Sequence, residues 1–349
     1  MNDATNLVSI IILNYNSGKL LSNCVRSIYE SNFKNYEIIV VDNASHDQSE
    51  TECKEKFPDI KLIKNEKNLG FCEGNNIGIK AAKDNFIIIL NPDTEVDNEC
   101  FSNLLKAYEE YGVGLYQPKL LALQDKMKIN SAGNRIQIFG FGYSRGKGEI
   151  DNESYNKVKI ISYPSGACLF TTKKTLKNIG NFESFLFAYH DDLDLGWRAA
   201  KLGIKSFYIP SAIVYHMESY NWKWSPKKFY YLERNRHYCL LVHYSKDTFY
   251  KILPHLILVE FAIFFFYLSK GLLKEKIKAW VNIIKNRKYI SKRYQELEKI
   301  RKIPDSEIIK EFEDEIIVPP EVAGSFMNKS FNKFLLKLSK AARTRISKS

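Results

Sequence analysis

Residues 86–95 read Phe86-Ile87-Ile88-Ile89-Leu90-Asn91-Pro92-Asp93-Thr94-Glu95. Ile87 to Leu90 is a continuous apolar run of the kind buried on both faces of a parallel sheet, and it stops at Asn91-Pro92 to deliver Asp93 and Glu95. In open α/β sheets, ligands bind beyond the carboxyl ends of the strands. That rule puts Asp93 at a rim where its oxygens can hold a divalent cation. A turn closed by an Asx cap is the plainer reading of Asn-Pro-Asp taken alone.

Outward from this strand the chain alternates. Residues 7–13, 37–41 and 60–64 are strand-length apolar runs, and residues 20–29, 48–57 and 75–83 carry helical spacing. Such βαβ alternation predicts a parallel sheet. The polar clusters Asn14-Tyr15-Asn16, Asp42-Asn43-Ala44-Ser45, Lys67-Asn68-Leu69-Gly70 and Asn91-Pro92-Asp93 all follow strands, so one rim collects them. Asp42 can accept hydrogen bonds from a pyrimidine imide or a ribose. Gly70 and Gly74 allow close approach of the backbone to a ligand, and Asn75 and Asn76 offer donors at a helix start where phosphate is favoured. No Gly-x-Gly-x-x-Gly follows the first strand and no Walker sequence is present, which excludes the usual dinucleotide and P-loop sites.

Further along, residues 101–111 predict a helix and 113–118 a strand. Residues 131–149, rich in glycine and aromatics, read equally as a mobile acceptor or donor loop and as a surface hairpin. Asp191, Asp192 and Asp194 precede an amphipathic stretch, 195–202, that Gly203 ends. Acids at a helix start are often only caps, but two adjacent ones exceed what a cap needs. His216 follows two predicted strands, 205–209 and 212–215. Ser225-Pro226 opens a helix through residue 244 that carries Arg234; a solvated basic face is the alternative to a phosphate contact there.

The chain has 349 residues and a net charge of +12, of which +10 belongs to residues 249–349. Its six cysteines form no Cys-x-x-Cys pair and read as reduced core residues, and the first apolar run is too short for a signal peptide. Residues 252–268 are apolar at the lower limit for a membrane span and are interrupted by Pro254, His255 and Glu260. Twelve basic residues against three acidic ones follow in 270–302, with apolar residues at helical intervals. This reads as an interfacial anchor for an anionic membrane surface, with a partner-binding or dimerising helix as the alternative. A nucleic-acid partner is disfavoured, since the basic residues follow an apolar run and no base-stacking module is evident. Residues 303–320 are acidic and read as a linker, and the last residues as a frayed end.

VSIIILNYN at 8–16, IVVDNAS at 39–45, NLGFCEGNN at 68–76, LNPDT at 90–94 and YHDDLDLGWR at 189–198 occur in order, with Ser165-Gly166-Ala167 and His216. Together they resemble the motifs of the family 2 glycosyltransferases, specifically the bacterial rhamnosyltransferase-like branch, over residues 7–245. The resemblance implies a GT-A fold: an α/β, Rossmann-like, mostly parallel sheet with flanking helices. A catalytic domain at 1–248 would then be followed by a helical, basic, membrane-associating region at 249–349. It also implies a nucleotide-sugar donor (dTDP- or UDP-linked), a divalent Mg²⁺ or Mn²⁺, and inverting transfer at the anomeric carbon. Onto this chain it carries Asp192 as general base with Asp191 supporting, the family's Glu-Asp pair having become Asp-Asp. Asp93 and His216 fall on the metal, position 91 being Asn where a full Asp-x-Asp would have Asp. Asn14, Asn16, Asp42, Asn43, Asn68, Gly70, Asn75, Asn76, Asn91 and Arg234 fall on the donor site. The expected activity is transfer of L-rhamnose from dTDP-L-rhamnose to a lipid-linked glycan at the inner face of the cytoplasmic membrane. A UDP-sugar-dependent hexosyl or galactofuranosyl transferase is the alternative, and a non-catalytic membrane-associated scaffold, or a homodimer, stays open.

Overall fold

The computed structural model describes residues 7–217, 225–316 and 325–347. Two compact units comprise them: Met1–Asn134, Ser144–Ala199 and Ile204–Asn221 in one, and Arg135–Tyr143, Ala200–Gly203 and Trp222–Ser349 in the other.

The first unit begins with the alternation expected. Strands β1 (Val8–Asn14), β2 (Tyr36–Asp42), β3 (Lys61–Lys64) and β4 (Phe86–Leu90) are linked by helices α1 (Lys19–Glu30), α2 (Ser49–Lys56) and α3 (Gly70–Ala81). The strands pair in parallel in the order β3-β2-β1-β4, with Ile10 to Ile12 and Ile87 to Leu90 at most 1% exposed. Because all four run the same way, their polar ends meet on one rim. Beyond β4 the unit departs from simple alternation. The chain continues through β5 (Thr94–Val96), α4 (Cys100–Tyr111), β6 (Gly114–Ala122), β7 (Asp125–Ser131), β8 (Asn134–Ile136), β9 (Gly142–Ser144), β10 (Lys159–Ile161), β11 (Cys168–Thr172), α5 (Lys173–Ile179), α6 (Asp191–Lys201) and β12 (Lys205–His216), of which most of β8 and β9 and the last two residues of α6 fall in the second unit. Strand β11 enters antiparallel between β4 and β6, and β12 lies parallel to β6. The result is a mixed, mostly parallel sheet with flanking helices.

Two expectations change. The strands predicted at 205–209 and 212–215 are one strand, β12, whose register slips between Ile209 and Ile213 because Pro210 cannot donate to the ladder. The stretch 131–149 contributes the β8–β9 ribbon, a hairpin as weighed, but its connecting turn is buried and not on the surface: Ile136, Ile138 and Phe139 are fully buried.

The second unit is helical. It contains α7 (Pro226–His243), α8 (Lys246–Ser269), α9 (Leu273–Lys285), α10 (Arg287–Ile300), α11 (Asp305–Ile308) and α12 (Ser325–Ser347). Ser225 caps α7 through a bond from Lys228 N–H, with Pro226 in the first turn as predicted. Helix α8 buries a stripe of Ile252, Leu256, Val259, Ile263 and Tyr267 at spacings of three and four. The end of the chain, expected to fray, is helical through Ser347, and the two residues after it lie outside the described ones. All six cysteines are free and buried, as read from the sequence.

Candidate active site

Parallel pairing sets Asn14 opposite Asp42 at the ends of β1 and β2. The Asn14 side-chain amide lies 2.8 Å from Asp42 Oδ1 and 2.9 Å from Ser49 Oγ. Ser45 donates its N–H to Asp42 Oδ2 at 3.0 Å and its hydroxyl to Oδ1 at 2.6 Å. A carboxylate offers about four acceptor positions, so Asp42 keeps one beyond those its own loops use. Asn16, with φ of 53°, accepts His46 N–H at 2.8 Å on its side-chain oxygen. Asn43 donates to the Gly70 carbonyl at 3.0 Å and accepts from Asn65 at 2.8 Å. These asparagines tie the loops after β1, β2 and β3 into one rim.

The start of α3 corrects part of the sequence reading. The helix begins at Gly70, five residues earlier than predicted, so Asn75 and Asn76 lie in its second turn and are not at the helix start. Asn75 is fully buried and donates to Phe71 O at 2.9 Å. Asn76 clamps Phe182, donating to its carbonyl at 2.9 Å and accepting its N–H at 3.0 Å. Neither amide is oriented for a phosphate. The true N-terminal donors are also taken: Gly70 N–H by Asn68 Oδ1 at 2.8 Å, Phe71 N–H by Phe187 O at 2.6 Å. Glycine is needed at 70 by φ of +81° and by the Phe187 backbone, whose oxygen a Cβ would meet at 2.6 Å. Gly74 packs on Leu13 in the same way, a Cβ there meeting its side chain at 2.3 Å.

Residues 187–190 form a strained approach to the acidic pair. Phe187, Tyr189 and His190 all have φ near +60 to +67°, and Ala188 N–H bonds back to Leu186 O at 2.7 Å across a γ-turn centred on Phe187. Helix α6 then starts with Asp191 and Asp192. Asp192 accepts Leu193 N–H on Oδ1 at 2.8 Å and Gly166 N–H on Oδ2 at 3.2 Å. Burial pushes its carboxyl up to about 6, against those two hydrogen bonds. Burial, then the adjacent Asp192 charge, holds Asp191 well above the usual carboxylate range. Asp194 is structural: it forms a buried pair with Arg198, with Nε at 2.9 Å.

The Ser165-Gly166-Ala167 turn joins this pair to the end of β4. Ala167 O accepts Asn91 N–H at 2.9 Å on one side, while Gly166 N–H reaches Asp192 on the other. Gln117, fully buried on β6, fixes the turn by accepting Ser165 N–H at 2.8 Å. Next to Asn91, Asp93 Oδ1 lies 3.5 Å from His216 Nε2. Strand β5 pairs with the end of β12, setting Thr94 opposite His216. Burial pushes the Asp93 carboxyl up, but His216 and a backbone hydrogen bond outweigh it and the group sits below its ordinary value. His216 Nδ1 is 3.0 Å from Asn130 Oδ1 on β7, a partner the sequence did not reveal. With Nδ1–H donated to Asn130, neutral His216 turns the Nε2 lone pair toward the Asp93 oxygen. At this separation the two groups can share a proton as an ion pair or hold a cation between them, and an imidazole nitrogen with a carboxylate oxygen fits Mn²⁺ or Mg²⁺.

Arg234 belongs to the second unit, where it is buried. Its Nε donates to Asn235 Oδ1 at 2.8 Å and its guanidinium lies over the Tyr231 ring at 4.8 Å, so the solvated basic face weighed for this helix is not what forms.

The chain is similar to the low-salt glycan biosynthesis hexosyltransferase of Haloferax volcanii, 24% identical over 56% of this chain and 62% of that protein. It is also similar to the N-acetylglucosaminyl-diphospho-decaprenol L-rhamnosyltransferase of Mycobacterium tuberculosis, 23% identical over 62% of this chain and 78% of the relative. It thus spans somewhat less than two thirds of the archaeal relative. Among solved structures, the mannosyltransferase PcManGT from Pyrobaculum calidifontis, in complex with GDP-Man and Mn²⁺, superposes with a TM-score of 0.52 at 14% identity. That likeness covers 98% of this chain and 88% of the other, which makes the fold GT-A. Residues 9–176 match the family described as Glycosyl transferase family 2.

Proposed function

We propose that the protein is an inverting glycosyltransferase that moves L-rhamnose from dTDP-L-rhamnose to a lipid-linked glycan acceptor in bacterial surface polysaccharide synthesis. The observation that carries the reading is the Ser165–Ala167 turn, which bonds on one side to the Asp93 strand end and on the other to Asp192. Transfer needs a carboxylate that is ionised at neutral pH yet basic enough to take the acceptor hydroxyl's proton, and a group near 6 meets both needs. Asp191, holding its own proton more tightly, supports Asp192 without competing for the acceptor. Asp93 and His216 would hold the divalent ion, which when bound neutralises the departing diphosphate. Asp42, through its free acceptor position, would orient the nucleoside, with Asn14, Asn16, Asn43 and Asn68 fixing the loops around it. The catalytic domain is taken as residues 1–248. The rhamnosyl donor is supported by the mycobacterial relative.

We place the enzyme at the inner face of the cytoplasmic membrane. Helix α8 is long and apolar enough to cross a bilayer by length and composition. Its buried stripe and the ion-paired Glu260 favour a helix lying along the surface, with Tyr250, Ile257, Phe261, Phe265 and Leu268 exposed along its other face.

The test is a panel of nucleotide sugars with Mg²⁺ or Mn²⁺, read by thermal shift and by slow nucleotide release. Stabilisation by dTDP-rhamnose alone, lost in Asp93→Ala, supports the rhamnosyl reading. Preference for a UDP-sugar retains the enzyme class and discards the donor. Silence across the panel with the fold intact favours a scaffold.

A further inference from the structure

The helical unit contains a groove of about 400 Å³ that the transfer chemistry does not use. Leu241 on α7, Phe249 and Tyr250 on α8, Ile283 and Ile284 on α9, and Ile290 on α10 form its walls. The volume lies in the range of about 300–1,000 Å³ typical of small-molecule sites. Two cations, Lys246 and Arg287, line the same groove. Both are exposed, and neither is ion-paired among the described residues. The Lys246 N–H bonds to Tyr294 Oη at 3.3 Å, so the start of α8 and the body of α10 are held together beneath it.

An apolar trough with a cationic edge is complementary to one kind of molecule, an amphiphile with an apolar chain and an anionic head. Free phosphate would leave the apolar wall wet, and a neutral chain would leave Lys246 and Arg287 without countercharge. The place of the groove agrees. Tyr250 and Ile284 on its walls are 67% and 61% exposed, and Tyr250 begins the row that runs along α8 through Ile257, Phe261 and Phe265. On α9, Ile277 and Val281 continue the row from Ile284, flanked by the exposed Lys274, Lys278 and Lys285. A lipid in a bilayer against this face enters the groove sideways without leaving the membrane.

We propose that the groove is a binding site for one anionic membrane lipid, its chain against Ile283, Ile284, Ile290 and Phe249 and its phosphate between Lys246 and Arg287. The site is independent of the glycosyl-transfer reading, since none of its residues belongs to the candidate active site.

Dioctanoyl phosphatidylglycerol, kept below its micelle concentration, is titrated into the full chain by calorimetry. Dioctanoyl phosphatidylcholine and inorganic phosphate serve as probes that each keep half of the chemistry. The expected result is saturation at one phosphatidylglycerol per chain, with phosphatidylcholine weaker by about tenfold or more and no saturable heat from phosphate. Ser291→Trp, which fills the groove from its exposed edge, and the pair Lys246→Glu with Arg287→Glu should each weaken binding by about tenfold or more at unchanged melting temperature. Should either variant misfold, a photoreactive phosphatidylglycerol on the unaltered protein should crosslink within residues 241–250 and 283–294. Equal affinity for both lipids, crosslinks confined elsewhere, or full binding by a folded Ser291→Trp overturns the proposal. A concentration-dependent dimer that Ser291→Trp abolishes overturns it in favour of a second copy as the occupant.

Discussion

The carbonyl oxygen of Phe187 accepts the backbone N–H of Phe71 at 2.6 Å, so the first turn of α3 ends on the loop that delivers Asp191 and Asp192. That loop holds three non-glycine residues at positive φ within four positions. Conformations of this kind cost on the order of 1–3 kcal/mol each and persist only where the surroundings enforce them. The enforcing contact is α3, itself packed tightly on β1 through Gly74 and Gly78, whose Cβ atoms would meet Leu13 and Ile11 at 2.3 Å. The acidic pair is therefore positioned by the βαβ core rather than by α6 alone.

Gly70→Ala tests this chain of contacts. The new methyl sits at φ of +81° and 2.6 Å from the Phe187 oxygen, with backbone on both sides of the clash. Urea denaturation should show a loss of about 1–3 kcal/mol. Donor turnover should fall further than stability predicts, because the displaced loop moves Asp191 and Asp192. A variant with ordinary turnover would show that α3 does not position the pair.

Asp192→Asn should lower transfer by about 10²–10⁴-fold. With Asp192 as the proposed base, kcat/KM of the unaltered protein should fall as the pH drops through about 6. Stability moves oppositely. A carboxyl raised on folding binds more protons in the native state between the ordinary aspartate value and about 6, so stability declines as pH rises through this window. Asp192→Asn should therefore melt higher than the parent at pH 8 and alike at the acid end of the window. A pH-independent difference would remove the titration from the account.

The rim was legible because parallel pairing forces strand ends together: Asn14, Asp42 and Asn91 needed only the run lengths to be placed. Asp191 and Asp192 stood out as two acids where a cap needs one. The start of α3 was misread because its first turn, Gly70 to Glu73, begins on a positive φ that sequence periodicity does not encode. That error moved Asn75 and Asn76 to a helix start they do not occupy. Asn130 left no local signal, since it meets His216 only through the pairing of β7 with β6 and β6 with β12. The groove in the helical unit was equally hidden, as its walls come from four helices.

Asn130→Ala removes the acceptor that fixes the His216 ring. The Nδ1–H then loses its partner, and Nε2 no longer holds its direction toward Asp93. Outer partners of this type affect metal affinity by about 10–100-fold. Mn²⁺ titration followed by electron paramagnetic resonance should show a loss of that size with the melting temperature unchanged. Affinity equal to the parent would separate Asn130 from the metal.

Phe261→Asp with Phe265→Asp places two charges on the exposed face of α8, where both rings are more than half exposed and the change costs little stability. Co-sedimentation with phosphatidylglycerol vesicles should be lost, while nucleotide release from the donor stays at the parent rate. Unaltered sedimentation would move membrane contact off this face.

Glu260 interrupts the apolar run of α8 because it is part of a buried ion cluster. Glu233 bonds Arg236 at 3.1 Å and His237 at 3.0 Å and also contacts Lys276, while Glu260 contacts Arg236 and lies 2.9 Å from Lys276. Lys276 is fully buried and its ammonium stands between the Glu233 and Glu260 carboxylates. Burial pushes both glutamates up, but Arg236 leads a set of cations that holds each below its ordinary value. The stabilisation they supply is thus present above the unfolded glutamate pKa and is lost as pH falls through the lower folded one. Lys276→Met strands a carboxylate with one cation fewer and should cost about 3–5 kcal/mol, since an unpaired buried charge is worse than none. Adding Glu260→Gln leaves Glu233 with Arg236 and His237, and should recover at least half of the loss in urea denaturation. If the double variant is no more stable than Lys276→Met alone, the cluster does not act as a charge-balanced unit.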